Sequence, residues 1–319
     1  MVPQQGERAA PVEAAVLPAV DAATVPADGP IPVPDDVRLV GTDLDGTLLD
    51  AALQVGEIAR GAIPGLLSAG IPIVYVTGRP PRWLAPVTEQ TGGSGFAVCG
   101  NGSLVVSLTT RRLVRATAMD TDLVVAVVEQ LRAAVPGITF AVERLATGAE
   151  ELDLAALTEF GMEDAYNPLW GRPPEAEVGD VVSLIARGPV LKLLAIPPDD
   201  SGHDNDSLVA LALGHEQVHV THSGARHALI EVTAGGADKG VGFLEVAELL
   251  GIDPRHTVAA GDMPNDVPLI RAAGTGYAVA NAHPLVRAAA DHVLPSNVDD
   301  GVGRLLRAIL AARTERGAS

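Results

Sequence analysis

Short runs of β-branched and other apolar residues alternate with stretches long enough for helices, in two blocks separated by a differently patterned middle. In the first block the runs at residues 37–42, 71–76 and 96–99 are nearly continuous and bounded by turn residues, which predicts strands buried on both faces. Between them the spacing predicts a helix over 55–69, weakened by Pro64, and another over 81–90. The second block predicts a helix over 239–250, a strand over 257–260, a helix over 266–273, a strand over 276–280, a helix over 284–290 and a last helix near 302–312. Alternation of this kind predicts an α/β fold, a Rossmann-like parallel sheet covered by helices.

The middle has other periods. "SLVVSLTTRRLVRATA" alternates as a hairpin would, and "TDLVVAVVEQLRAAV" has the spacing of an amphipathic helix. "VLKLLAIPP", "QVHVTHSG" and "HALIEVTA" predict strands around a helix near 207–215. We therefore expect an α+β domain at 103–234 inserted into a split α/β core made of 37–102 and 235–319. Residues 148–180 show no period that assigns them, and there are no internal repeats. The first 36 residues, crowded with Pro, Ala and acids, predict a disordered tail.

Composition narrows the partners. The net charge of −18, from 40 acids against 22 bases, repels phosphate backbones and anionic lipid, so neither nucleic acid nor membranes are expected, and no protein partner is implied. No 18-residue apolar run exists, and prolines interrupt every apolar run near the start, which predicts a cytoplasmic protein. Cys99 stands alone, so there is no internal disulfide and no zinc site built of cysteines. Of the 22 bases only two are lysines, Lys192 and Lys239, which makes the position of each informative.

In open α/β sheets ligands bind outside the carboxyl ends of the strands. Asp43 and Asp45 in "DLDGT" follow the first strand, Thr77-Gly78-Arg79 the second, and "GDMPND", with Asp262, Asn265 and Asp266, the strand after Lys239. Taken alone, "DLDGT" also has a plain reading as an Asp-Gly turn or a helix cap. With the other clusters it places polar groups on one rim of one sheet. Four aspartates converging there would repel one another by about 4 kcal/mol per close pair at an effective dielectric near 20, so the site requires a cation. Oxygen ligands without His or Cys favour Mg²⁺. Such a cation beside Thr77, Lys239 and Asn265 also suits a phosphoryl group.

These motifs, together with "NGSLV" at 101–105 and "ADKGVGFLEVAELLGI", resemble the haloacid dehalogenase superfamily, specifically the Cof-type phosphatases with an α+β (type II) cap. The resemblance spans residues 37 to about 310. It implies a Mg²⁺-dependent hydrolase of small phosphorylated metabolites, such as sugar phosphates, working through an aspartyl-phosphate. Asp43 would be the nucleophile and Asp45 the acid and then the base. The metal would lie on Asp43, Asp45 through its carbonyl, Asp262 and Asp266, the last as ligand or support. Leu44, Thr77, Gly78, Lys239 and Asn265 would hold the phosphoryl oxygens.

Substrate-facing candidates are Asn101, Arg79, Lys192, His222, Ser223 and Arg226. Lys192, on an insertion strand, is expected to snorkel at the surface, with a substrate-facing position as the alternative. His219, His222 and His227 invite a metal reading, but alternation puts His219 and His222 on opposite faces, which argues against a shared site. Two rivals stay open: a phosphohexomutase, whose Arg-bearing substrate motif is absent, and a sensor that binds a phosphorylated ligand without turnover.

Overall fold

The computed structural model describes residues 29–148, 153–168, 170–214, 217–222 and 228–317, together with the backbone of 23–24. The chain begins with β1 (Ala23–Thr24), β2 (Leu39–Thr42), α1 (Glu57–Ser68), β3 (Ile73–Val76), α2 (Ala85–Thr91), β4 (Phe96–Cys99) and the hairpin β5 (Leu104–Ser107) and β6 (Arg112–Ala116). It continues through α3 (Thr121–Ala134), β7 (Thr139–Leu145), β8 (Thr158–Met162), β9 (Glu177–Val178), α4 (Val181–Ile185), β10 (Val190–Ile196), α5 (Asn205–Ala212), β11 (Val218–Thr221) and β12 (Ile230–Ala234). It returns with α6 (Lys239–Leu249), β13 (Thr257–Gly261), α7 (Val267–Ala272), β14 (Thr275–Val279), α8 (Pro284–Ala289), β15 (His292–Leu294) and α9 (Gly301–Gly317). No helix among the described residues is long and apolar enough to cross a membrane.

The nine-stranded sheet runs β1-β15-β14-β13-β2-β3-β4-β5-β6, parallel from β1 to β4 and antiparallel through the hairpin. Its central strands β2 and β3 are buried along their whole length, as their unbroken apolar runs require. Leu39, Val74, Val76 and Val98 pack against Phe243 and Val246 of α6 on one face. Val40, Ile73 and Tyr75 pack on the other against Ile63 and Leu66 of α1 and Leu305 and Ile309 of α9. Gly242 lets α6 sit close to the sheet, since a Cβ there would lie 2.5 Å from Val98 Cγ1.

The second sheet, β11-β12-β10-β7-β8-β9, is antiparallel except for its β8–β9 edge. One face packs Phe140, Val142, Leu193 and Val232 against α3, α4 and α5. The opposite face, with Glu143, Phe160, Lys192, Leu194 and Glu231, roofs a cavity of about 1390 Å³ whose floor includes Asp43, Lys239 and Asp262.

Four expectations change. The hairpin at 104–116 extends the nine-stranded sheet instead of opening the inserted layer, because β5 finds a backbone partner in β4. The stretch 81–90 divides into a 3₁₀ turn, Pro81–Trp83, and α2, each with a proline in its first turn where no N–H is needed. Residues 148–180 supply β8 and β9 at the edge of the second sheet. The tail is attached in part: β1 pairs with β15, Ile31 and Val33 pack on the core, and the Tyr277 hydroxyl donates to the Pro32 carbonyl at 2.7 Å. Residues 1–22 and 25–28 lie outside the described residues.

Candidate active site

Parallel register aligns the carboxyl ends of β2, β3 and β13, with Thr42 opposite both Tyr75 and Ala260. The next residues, Asp43, Thr77 and Asp262, therefore share one rim. Asp43 is 4% exposed, and its N–H donates to the Ala260 carbonyl at 2.9 Å. Lys239, at the start of α6 behind the N-cap Asp238, donates to Asp43 Oδ1 at 2.7 Å and to Asp266 Oδ1 at 2.5 Å. Asp266 Oδ2 accepts from the N–H groups of Asp262 and Met263, both at 2.9 Å. Thr47 donates its hydroxyl to Asp262 Oδ1 at 3.0 Å. The turn between requires glycine at 46, where φ is +80° and a Cβ would stand 2.4 Å from Asp262 Oδ2.

One carboxylate oxygen each from Asp43, Asp262 and Asp266 lies within 4.8 Å of the others, all three side chains being buried. Burial, then the neighbouring Asp266 charge, pushes Asp43 well above the usual carboxylate range. The same two causes push Asp262 up to about 7. Burial opposes the charge on Lys239, but Asp266 and Asp43 outweigh it and hold the ammonium form. One lysine against three carboxylates leaves negative charge uncompensated in a dry place, and the donors are all oxygen. This set fits a hard divalent cation. Both Asp266 oxygens are already engaged by Lys239 and two backbone amides, which makes that residue a brace more than a free ligand.

Asp45 is half exposed and lies in the grip of Arg79, whose Nε and Nη2 donate to its two oxygens at 2.6 and 2.5 Å. Nη1 of the same guanidinium donates to the Trp83 carbonyl at 3.3 Å. Arg79 thus lines the cavity while committed to Asp45. Thr77 and Gly78 also line it. Asn265 donates Nδ2 to Asn101 Oδ1 at 3.1 Å, and its own Oδ1 is buried without a partner among the described residues. Leu44 is buried, its carbonyl accepting from the amides of Thr47 and Leu49.

Lys192 departs from the surface expectation. It is 6% exposed and donates to Glu231 Oε1 at 2.7 Å and to the Gly78 carbonyl at 2.9 Å, joining the second layer to the Thr77 loop. Glu231 in turn accepts from Asn101 Nδ2 at 2.5 Å. Burial opposes the Glu231 charge, but Lys192 prevails and holds its pKa below the usual value. Asn101, 1% exposed, thus sits between Asn265 and Glu231 and is absent from the cavity wall. His222 lies away from the cavity too, its Nδ1 3.4 Å from Asn205 Nδ2. Ser223, Arg226 and His227 lie outside the described residues.

Sequence reasoning missed Glu231, the ion pair of Arg82 with Glu143, and the cavity positions of Trp83 and Trp170. The signal for the acids was charge inside an apolar strand, a single Glu in "LIEVT" and an adjacent Glu-Arg pair in "FAVERL".

The sequence model of a family described as haloacid dehalogenase-like hydrolase matches residues 40–153 and 189–306, well over half of the chain. The 5-amino-6-(5-phospho-D-ribitylamino)uracil phosphatase of Bacillus subtilis (strain 168) is 27% identical over 272 residues, covering 85% of this chain and 95% of that one. The pyridoxal phosphate phosphatase of Escherichia coli (strain K12) is 24% identical over 283 residues, covering 84% and 97%. Among solved structures, BT1666 of Bacteroides thetaiotaomicron, described as one of the phosphatases of the haloalkanoate enzyme superfamily, superposes with a TM-score of 0.71 at 20% identity, covering 88% of this chain and 98% of that one. With the paired parallel-sheet core, the inserted α+β layer and the aspartates on one rim, the match of the family model identifies the chain as a member of the haloacid dehalogenase-like hydrolases.

Proposed function

We propose that the protein is a magnesium-dependent phosphomonoester hydrolase acting on small phosphorylated metabolites through an aspartyl-phosphate at Asp43. The observation that carries this reading is the buried cluster of Asp43, Lys239, Asp262 and Asp266 at the floor of a cavity roofed by the inserted layer. The two phosphatases compared above cover nearly their whole length with this chain, which supports a phosphorylated metabolite as substrate. Magnesium, held by Asp43, Asp262 and the Asp45 carbonyl with Asp266 behind them, would neutralise charge on the phosphoryl oxygens.

The Asp43 carboxylate attacks phosphorus, the new O–P bond forming as the ester P–O bond breaks, and Asp45 gives its proton to the departing oxygen. Asp45 then takes a proton from water, whose oxygen attacks the same phosphorus and releases Asp43 and inorganic phosphate. Lys239, Thr77, Gly78, Asn265 and the Leu44 backbone hold the phosphoryl oxygens meanwhile, and the inserted layer excludes bulk water.

Purified protein should release phosphate from p-nitrophenyl phosphate in magnesium and stop when EDTA is added. Asp43→Asn should lower turnover by about 10⁴-fold or more, since it removes the nucleophile. Undiminished activity in that variant would refute the covalent mechanism.

A further inference from the structure

Both tryptophans of the chain stand on the wall of the active-site cavity. Trp83 comes from the 3₁₀ turn of the core and Trp170 from the segment between β8 and β9 of the inserted layer. Their rings meet edge to face, with centroids 5.8 Å apart and planes at 76°. Of the four ring faces of the pair this contact takes one and the Arg82 guanidinium takes another, on Trp83, so flat apolar surface is left for a ligand. The buried aromatics Tyr75, Tyr166, Tyr277, Phe140 and Phe243 belong instead to hydrophobic cores.

The setting of Trp83 is built, not incidental. The Arg82 guanidinium lies 5.4 Å from the Trp83 ring centroid and 5.4 Å from that of Phe160. Its charge is taken up by Glu143, with a further bond to the Thr158 hydroxyl at 3.2 Å. Arg82 is therefore a fixed support for the indole and not a free cation awaiting a second anionic group. On the other side, the guanidinium of Arg79 joins the Trp83 carbonyl to Asp45. A leaving group whose oxygen meets Asp45 would thus extend past Trp83.

The backbone beside the two indoles is poor in donors, and the guanidinium groups there, Arg79, Arg82 and Arg172, are paired with Asp45, Glu143 and Asp164. Pro80, Pro81 and Pro86 flank Trp83, and Pro173 and Pro174 follow Arg172, and none of the five has an N–H. A polyol seated there would find few free donors for its hydroxyl oxygens, whereas a flat ring needs only apolar faces. Resting on the phosphatase reading for the cleavage step, we propose that the preferred substrate carries its phosphate on an aromatic or heteroaromatic ring system, which is seated against Trp83 and Trp170.

Benzyl phosphate and glucose 6-phosphate are both esters of primary alcohols, so their comparison tests the ring and not the leaving-group chemistry. The wild-type enzyme with magnesium should show a higher kcat/KM for benzyl phosphate. Trp83→Leu and Trp170→Leu should each reduce the ratio of the two kcat/KM values by about tenfold, chiefly through KM, and Trp170→Phe should restore most of it. A preference for glucose 6-phosphate, or a ratio that survives both leucine variants, overturns the proposal. Binding can be read without turnover, because the chain's two indoles both lie in the pocket. In magnesium-loaded Asp43→Asn, tryptophan emission should shift saturably with benzyl phosphate and not with glucose 6-phosphate. That result upholds the ring site even if neither ester is hydrolysed, an outcome that would sink the phosphatase reading alone; no shift with benzyl phosphate overturns the ring site.

Discussion

The two lysines of the chain are both buried at the active site, while the exposed cations are arginines. A compact ammonium suits each place, between Asp43 and Asp266 in one case and between Glu231 and the Gly78 carbonyl in the other. Lys192 was expected to snorkel at the surface because it is a lone lysine on an inserted strand. Its side of that strand is covered by the core and not by water. Replacing Glu231 with Leu should strand Lys192 and cost about 3–5 kcal/mol in urea unfolding, and adding Lys192→Met should recover part of the loss. Arg79→Ala releases Asp45 from a bidentate hold; kcat for p-nitrophenyl phosphate should fall about 10- to 100-fold if Asp45 is the proton donor of the proposed mechanism, because it is then no longer oriented. An unchanged kcat would show that Arg79 has no part in positioning Asp45.

The elements that carry the candidate site were the most legible ones. β2, β3 and β13 announce themselves as nearly unbroken apolar runs, since strands covered on both faces leave no polar alternate positions. β15 and β1 were missed because two or three residues hold no period, and their pairing comes from the neighbouring strand edge. α6 was foreseen from its sequence, but its depth against the sheet depends on Gly242 and Val98, far apart in the chain. Gly242→Leu should lift the helix from β4 and destabilise the fold by about 1–3 kcal/mol by overpacking. As α6 carries Lys239, KM for p-nitrophenyl phosphate should rise in the same variant, whereas a local accommodation of the leucine would leave KM alone.

For the molecule as a whole, cavity and charge depend on the two layers together. The core supplies the carboxylates, and the inserted layer brings Lys192, Glu231, Phe160 and Trp170 over them. The unbalanced negative charge on Asp43, Asp262 and Asp266 should make the folded state bind magnesium and the unfolded chain bind it weakly. At about a hundredfold excess over the dissociation constant, the ion should add about 2.7 kcal/mol of stability. Thermal unfolding with magnesium against EDTA measures this, and Asp262→Asn should shrink the difference; equal transitions in the wild type would speak against the metal site.

The parallel-sheet core, its split by an insertion and the aspartates at the strand ends could be read from the chain alone, because each is written in local periods and in short motifs next to them. Asp43 and Asp45 were visible as a pair for that reason, whereas Asp50 is a turn acid that accepts from the amides of Ala52 and Gln54. Only the tertiary structure decided that Arg79 holds Asp45, that Glu231 and Lys192 join the layers, and that both tryptophans face one cavity. Those contacts link residues far apart in sequence across a layer boundary, and a period in one segment carries no information about what packs on its outer face.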